Sequence, residues 1–133
     1  MRLQREDGVV AIEFALVLPI FLLIVAGIIE FGVMLYDQQI ITNASREGAR
    51  AGIVLAMPKP SEVEIQSVVM TYLTGAGLDA ASTDDVIVTG EGLAFGSDLT
   101  VRVDYPYNFL LLPSFTGGSA SMTLSAITTM KHE

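Results

Sequence analysis

Between Val9 and Ile29 the only ionisable side chain is Glu13. The run is about 21 residues long, close to the length a helix needs to cross a bilayer core. A carboxylate in hydrocarbon costs about 2.5–3.5 kcal/mol on insertion scales, so an acid there marks a functional position by default. A cleavable secretory signal has a shorter apolar region, about 7–15 residues, and the run exceeds it. Beyond Ile29 the pattern becomes two-faced. Val33, Tyr36, Ile40, Ala44, Ala51 and Leu55 recur at helical steps, while Asp37, Gln38, Gln39, Arg46, Glu47 and Arg50 fill the other side. The helical pattern continues to Ala56 and stops at "MPKP", where Pro58 and Pro60 cannot extend a ladder. One helix of about 48 residues, rising about 72 Å, is therefore expected. Such a helix, with a third of it in lipid, needs a partner along its length. Pro19 removes a backbone donor and crowds the preceding turn, so a kink or local melting is expected there.

The second half reads as a small α+β head. Ser61 and Glu64 have the spacing of a capping box, followed by an apolar stripe of Val63, Val68, Val69, Tyr72 and Leu73 that ends near "TGAG". After the polar loop "DAASTDD" comes a short strand at Val86 to Thr89 and then the turn region "GEGLAFGSD". Leu99, Val101, Val103 and Tyr105 alternate with Thr100, Arg102 and Asp104, the pattern of a half-buried strand. Ala120, Met122, Leu124 and Ala126 alternate in the same way with Ser121, Thr123 and Ser125. The expected fold is a long N-terminal transmembrane helix (9–29) continuing as an amphipathic helix (30–57). A head of one helix and about three antiparallel strands (58–133) follows and packs on the outer half of the long helix.

Composition narrows the function. The chain has 133 residues, a net charge of -8 and a pI near 4.4, which speaks against a nucleic-acid partner because phosphate neutralisation needs clustered Lys and Arg. It has no cysteine, so disulfides, thiolate metal sites and cysteine nucleophiles are excluded. The mean hydropathy of +0.55 is high, with the excess in the first third. Arg2 and Arg5 precede the apolar run and no Lys or Arg follows it until Arg46, which places the N-terminus in the cytoplasm and the head outside. No catalytic motif is found. The single histidine, His132, lies beside the C-terminus, where chain ends fray and cannot hold a reacting group. Asp79, Asp84, Asp85, Glu91 and Asp98 lack the spacing of an EF-hand and read as a solvated acidic face. Neither a cofactor nor a resident metal is expected.

Several groups have two readings. Ala15, Ala26, Gly27 and Gly32 either admit neighbouring helices at close range or are merely tolerated small residues. Gly48 and Gly52 in "GARAG" point to packing of the head on the helix in preference to a dimer motif. The segment "YPYNFLLLPSF" holds too many apolar groups for an exposed turn. It either folds over the core of the head, the favoured reading, or contacts a neighbouring subunit.

Gly8 followed by "VVAIEF" places a glutamate at the fifth residue after a glycine, ahead of a hydrophobic helix, as at the processing site of type IV prepilins. With Pro19, Glu30 and "NASREGARAG" in order, Arg5 to Gly52 resembles the TadE-like family, pilin-like or minor pilin proteins of tight-adherence (Tad) pilus systems. The acidic pair Glu6 and Asp7 departs from the usual basic leader. The resemblance implies a type IV pilin-like layout, with residues 1–8 as a leader cleaved between Gly8 and Val9 by a prepilin peptidase. It also implies assembly and register through Glu13 and Phe14, with other pilin subunits and the Tad inner-membrane platform as partners. The precursor would lie in the bacterial inner membrane and the product in a surface pilus serving adhesion or biofilm formation. Independently, cleavage there would create an α-amine at Val9, one turn from Glu13, where opposite charges can neutralise each other. Glu13 would also sit in the first turn of the mature helix, where the macrodipole favours an acid. In a filament the amine of one subunit can pair with Glu13 of a neighbour. The plain alternative is a Glu13 that snorkels from a permanent anchor carrying a periplasmic binding domain.

Overall fold

The computed structural model describes residues 3–54, 58–79, 81–92, 94–111, 113, 117–118 and 120–132, residues 3–7 as backbone only. Its elements are α1 (Leu3–Gly52), α2 (Glu62–Gly75), a single 3-10 turn (Thr83–Asp85), β1 (Val86–Thr89), β2 (Asp98–Asn108) and β3 (Ser121–Lys131). This is an α+β, pilin-like layout of a long apolar N-terminal helix, a second helix and a three-stranded antiparallel sheet. The chain divides into two compact units. One comprises Met1–Val33 with Phe109–Ala120, the other Met34–Asn108 with Ser121–Glu133.

In the first unit α1 carries the apolar run with its side chains facing outward. Val9, Ile12, Phe14, Leu16, Ile20 and Ile28 are all exposed. Side chains of this kind in water would forfeit about 1.5–3 kcal/mol each relative to burial, so the surface requires lipid or other helices around it. Among the described residues, Gly8–Gly52 is the one helix long and apolar enough to cross a membrane. Pro19 lies inside α1 with helical backbone on both sides.

The second unit holds the core. The sheet is a meander of order β1-β2-β3, antiparallel throughout, with Val86 opposite Val103 in one pair and Val103 opposite Ala126 in the other. Leu99, Val101, Val103 and Tyr107 of β2 are buried and Tyr105 half-buried, which continues the period-2 alternation of the sequence. In β3 the inward positions are Leu124 and Ala126, whereas Ala120 and Met122 are exposed.

Three sequence expectations are corrected here. The buried face of α1 is Ile40, Ile41, Ala44, Ser45, Gly48, Ala49 and Gly52, so Tyr36 of the expected stripe is exposed and Ala51 half-buried; Leu55 lies outside the described residues. The face is set by small residues that let other elements come close, a criterion that counting large apolar side chains overlooks. A Cβ at Gly48 would meet Val69 and Val101, and one at Gly52 would meet Leu99 and Ile65. On α2 the buried positions are Ile65, Val69 and Leu73, with Val63 exposed beside the N-terminus where little of the core reaches. Lastly, α1 ends at Gly52, earlier than Ala56, with Ile53 N–H closing on Ala49 O at 3.2 Å. Glycine has no side chain to hold the helical conformation against its backbone entropy, which favours a stop there.

The C-terminal end is tied down, against the expectation of fraying. His132 is 2% exposed and its Nε2 lies 2.8 Å from Gly90 O; its backbone N–H donates to Ser97 O at 2.9 Å. Gly90 itself adopts φ of 89°, and a Cβ there would strike the Asp98 carbonyl. Beyond β3, therefore, a backbone bond to Ser97 and a ring contact with Gly90 fix His132 in place of the fraying that position alone implied.

At the start of α2 the Ser61 side chain accepts from Glu64 N–H, while Glu64 Oε2 accepts from Ser61 N–H at 2.8 Å and from its hydroxyl at 3.0 Å. The Ser61 backbone bond first, then its hydroxyl, hold the Glu64 carboxyl below the usual carboxylate range. The carboxylate's contribution is therefore complete above its unfolded value and disappears as pH falls through its lower folded value. Replacing Ser61 with Ala is expected to raise the Glu64 titration midpoint, read by NMR of its side-chain carboxyl. Gly48→Ala is expected to lower stability by about 1–3 kcal/mol in denaturant unfolding, because Val69 is β-branched and buried and cannot swing away. Gly75→Ala, with nothing within 4 Å of the added carbon, should change it by less than about 1 kcal/mol.

Candidate functional site

The first unit contains two acids in contrasting settings. Glu30 follows directly on the apolar run and is 3% exposed. Its Oε1 accepts the Leu110 backbone N–H at 2.8 Å and its Oε2 accepts the Leu111 N–H at 2.6 Å. Each carboxylate oxygen thus takes one of two successive donors. Charge-assisted bonds of this length are about twice as strong as neutral ones, which compensates a charge withdrawn from water. Helical side chains lean toward the helix N-terminus, so Glu30 reaches back over the preceding turn. Ala26, one turn earlier, is buried, and Val25 and Gly27 are half-buried, unlike most of the apolar run before them.

Leu110 and Leu111 belong to the connection between β2 and β3, whose first backbone donor, Phe109 N–H, bonds Ala120 O at 3.2 Å. This corrects the favoured reading of "YPYNFLLLPSF" as a cover for the core of the head. Tyr105 and Tyr107 are strand residues of the second unit, whereas Phe109–Leu111 group with the apolar helix and are fastened to it by Glu30. Leu112 and Phe115 lie outside the described residues. The Leu110 and Leu111 donors find their acceptors on α1, and Glu30 supplies both.

Glu13 has the opposite setting. It is exposed on α1, as are Gly8, Val9, Phe14 and Ala15, and it has no hydrogen-bond or ion-pair partner among the described residues. A Cβ at Gly8, Gly27 or Gly32 would meet nothing within 4 Å, so these backbone positions remain open to a neighbouring molecule. Ala26 is instead buried, and the space beside Gly48 and Gly52 is filled by Val69, Val101, Leu99 and Ile65. In the sequence Glu30 stood out only among the residues that carry the family resemblance; its contact with Leu110 and Leu111 spans a separation that no local spacing reports. The legible signal was an acid closing an apolar run in a chain that also carries an uncharged, apolar loop.

Among the described residues no group of three or more His, Asp or Glu side chains gathers to hold a metal ion. Asp104 shows what the acids of the sheet do instead. Burial would raise its pKa, but bonds from Ser125 and Arg102 outweigh it and hold the carboxyl below its ordinary value.

Glu30→Ala leaves two adjacent backbone donors without their acceptors, a loss of about 1–3 kcal/mol each where no water replaces them. Accelerated amide hydrogen exchange at Leu110 and Leu111, with exchange in β2 unchanged, is the expected result.

Comparison with known proteins adds one family. Residues 8–50 match the family model described as TadE-like protein. No curated protein and no solved structure matches the chain. The match begins at Gly8 and covers the apolar run, both acids and Gly48. Over residues 8–50, the chain is similar to TadE-like proteins.

Proposed function

We propose that this chain is a structural subunit, a minor pilin or pseudopilin, of a Tad-type pilus. A prepilin peptidase cuts the precursor between Gly8 and Val9, and the mature chain joins other pilin subunits through its N-terminal helix at the inner-membrane assembly platform. The pilus then supports adhesion or biofilm formation at the cell surface. The observation that carries this reading is Glu13, a carboxylate with no partner among the described residues, within an exposed apolar helix and five residues after the glycine at which the family match begins.

Its role follows from charge. Before cleavage the acid sits in an apolar stretch with no cation beside it among the described side chains, an arrangement that insertion energetics disfavour. After cleavage the Val9 amine lies four residues before Glu13, close enough to pair within one helix. When subunits exchange lipid for helix contacts, the same amine can turn to the Glu13 of a neighbour, and a misaligned subunit would leave both charges buried and unpaired. Phe14, exposed beside Glu13, offers apolar area to that contact. The open backbone at Gly27 and Gly32 provides positions where a neighbouring helix can approach. The apolar helix supports a bilayer location before assembly, and Arg2 and Arg5 support a cytoplasmic N-terminus with the head in the periplasm.

N-terminal sequencing of the protein from membranes and fibres tests the reading. Val9 is the expected first residue; a chain that keeps Met1 or Arg2 in both fractions is a permanent anchor with a periplasmic domain. Glu13→Gln is expected to reduce incorporation into fibres severely while the protein still accumulates in the membrane.

A further inference from the structure

We propose that the start of the β2–β3 connection, Phe109–Leu111, is a membrane-surface segment, which Glu30 holds against the last apolar turn of α1 so that it enters the boundary of the bilayer that α1 spans. The inference rests on the spanning reading of α1. It names a lipid surface as the partner of a loop to which no function has been assigned.

Four observations carry it. First, depth: Glu30 is the first ionisable side chain after Glu13, directly follows the apolar run that begins at Val9, and is buried. What it grips therefore lies at the end of that run. Second, polarity: no charged side chain occurs between Asp104 and Lys131 in a chain with a net charge of -8. Third, Leu110 is 64% exposed, while Phe109 and Leu111 on either side of it are half-buried. Fourth, irregular backbone near hydrocarbon is tolerated only where its polar groups have partners. Phe109 N–H has Ala120 O, and Leu110 and Leu111 N–H have Glu30.

These features distinguish a lipid contact from an ordinary exposed hairpin loop. In water, solvent would compete for these donors and the carboxylate would add only a modest gain. At the acyl boundary the capping is required, and Leu110 gains by entering it. Segments of this kind insert about 5–10 Å into the interface, a depth that attachment at the end of the apolar run allows. The loop and the helix then form one continuous lipid-facing surface.

The absence of cysteine permits a direct test in the full chain, because a single introduced cysteine is unique. Leu110→Cys, Leu16→Cys and Thr71→Cys are each labelled with an environment-sensitive fluorophore and reconstituted in phosphatidylcholine–phosphatidylglycerol vesicles containing nitroxide-bearing lipids. The label at position 110 is expected to be blue-shifted and quenched several-fold more strongly by the lipid nitroxides than the label at 71, and to resist aqueous iodide. Adding Glu30→Ala should return it toward the behaviour of position 71. The proposal is overturned if position 110 is quenched by iodide as position 71 is while position 16 reports lipid. It is equally overturned if the shielding at 110 is lost on diluting protein into more lipid, which assigns the loop to a neighbouring subunit. Unchanged lipid quenching in the Glu30→Ala background removes Glu30 from the mechanism. Aqueous behaviour at position 16 instead shows that the spanning reading itself fails.

Discussion

A charge or a backbone donor placed in an apolar medium must have a partner there, and this chain sets that condition twice. Glu30 satisfies it internally, through the N–H groups of Leu110 and Leu111. Glu13 does not, being exposed and without such a partner among the described residues. The difference separates two jobs that one residue type performs at the two ends of a single apolar run. A carboxylate that accepts two short backbone bonds is fixed and shapes its own chain. One that projects from an apolar helix remains available to something outside the chain.

The same helix serves two kinds of packing by changing residue size along its length. Through the apolar run it offers Val, Ile, Leu and Phe outward, a surface suited to lipid or to other helices. In its last turns the inward positions are Ala44, Ser45, Gly48, Ala49 and Gly52, which let Ile65, Val69, Leu99 and Val101 approach the backbone. Ser45 is wholly buried yet satisfied, with its Oγ 2.7 Å from Thr128 Oγ1 and donating to Thr42 O at 2.9 Å. That polar contact joins helix to sheet at a defined register, since moving it would leave a buried hydroxyl without a partner. Gly48 and Gly52 are thus committed to the chain's own head, whereas the backbone at Gly27 and Gly32 is not.

Much of the architecture was legible because it rests on local periodicity. The capping box of Ser61 and Glu64, the alternation of Leu99, Val101 and Val103, and the apolar run each reflect a repeat that the backbone geometry imposes. What escaped depends on contacts distant in sequence or on small side chains. The buried face of α1 is defined by Gly, Ala and Ser, whose value lies in the space they leave, so a pattern weighted by large apolar residues picked Tyr36 instead. His132 was read from its position beside the chain end, but its bonds to Gly90 and Ser97 fix it in place. The loop after Tyr107 was recognised as too apolar for open solvent; its anchor could not be read, because Glu30 and Leu110 are far apart in the chain. At the amino-terminal segment the residue types were plain from the sequence. Their consequence, a charge awaiting a counter-charge, follows from hydrocarbon energetics and not from any contact in the chain.

The most direct measurement of that pairing is a solid-state NMR distance between the Val9 amine nitrogen and the Glu13 carboxyl carbon, in peptidase-processed protein held in lipid vesicles. A nitrogen–carbon contact consistent with an ion pair, within about 4 Å between nitrogen and carboxylate oxygen, is the predicted result. A processed chain whose amine and carboxylate show no such contact, each facing water at the membrane surface, would contradict the neutralisation on which the assembly role of Glu13 depends.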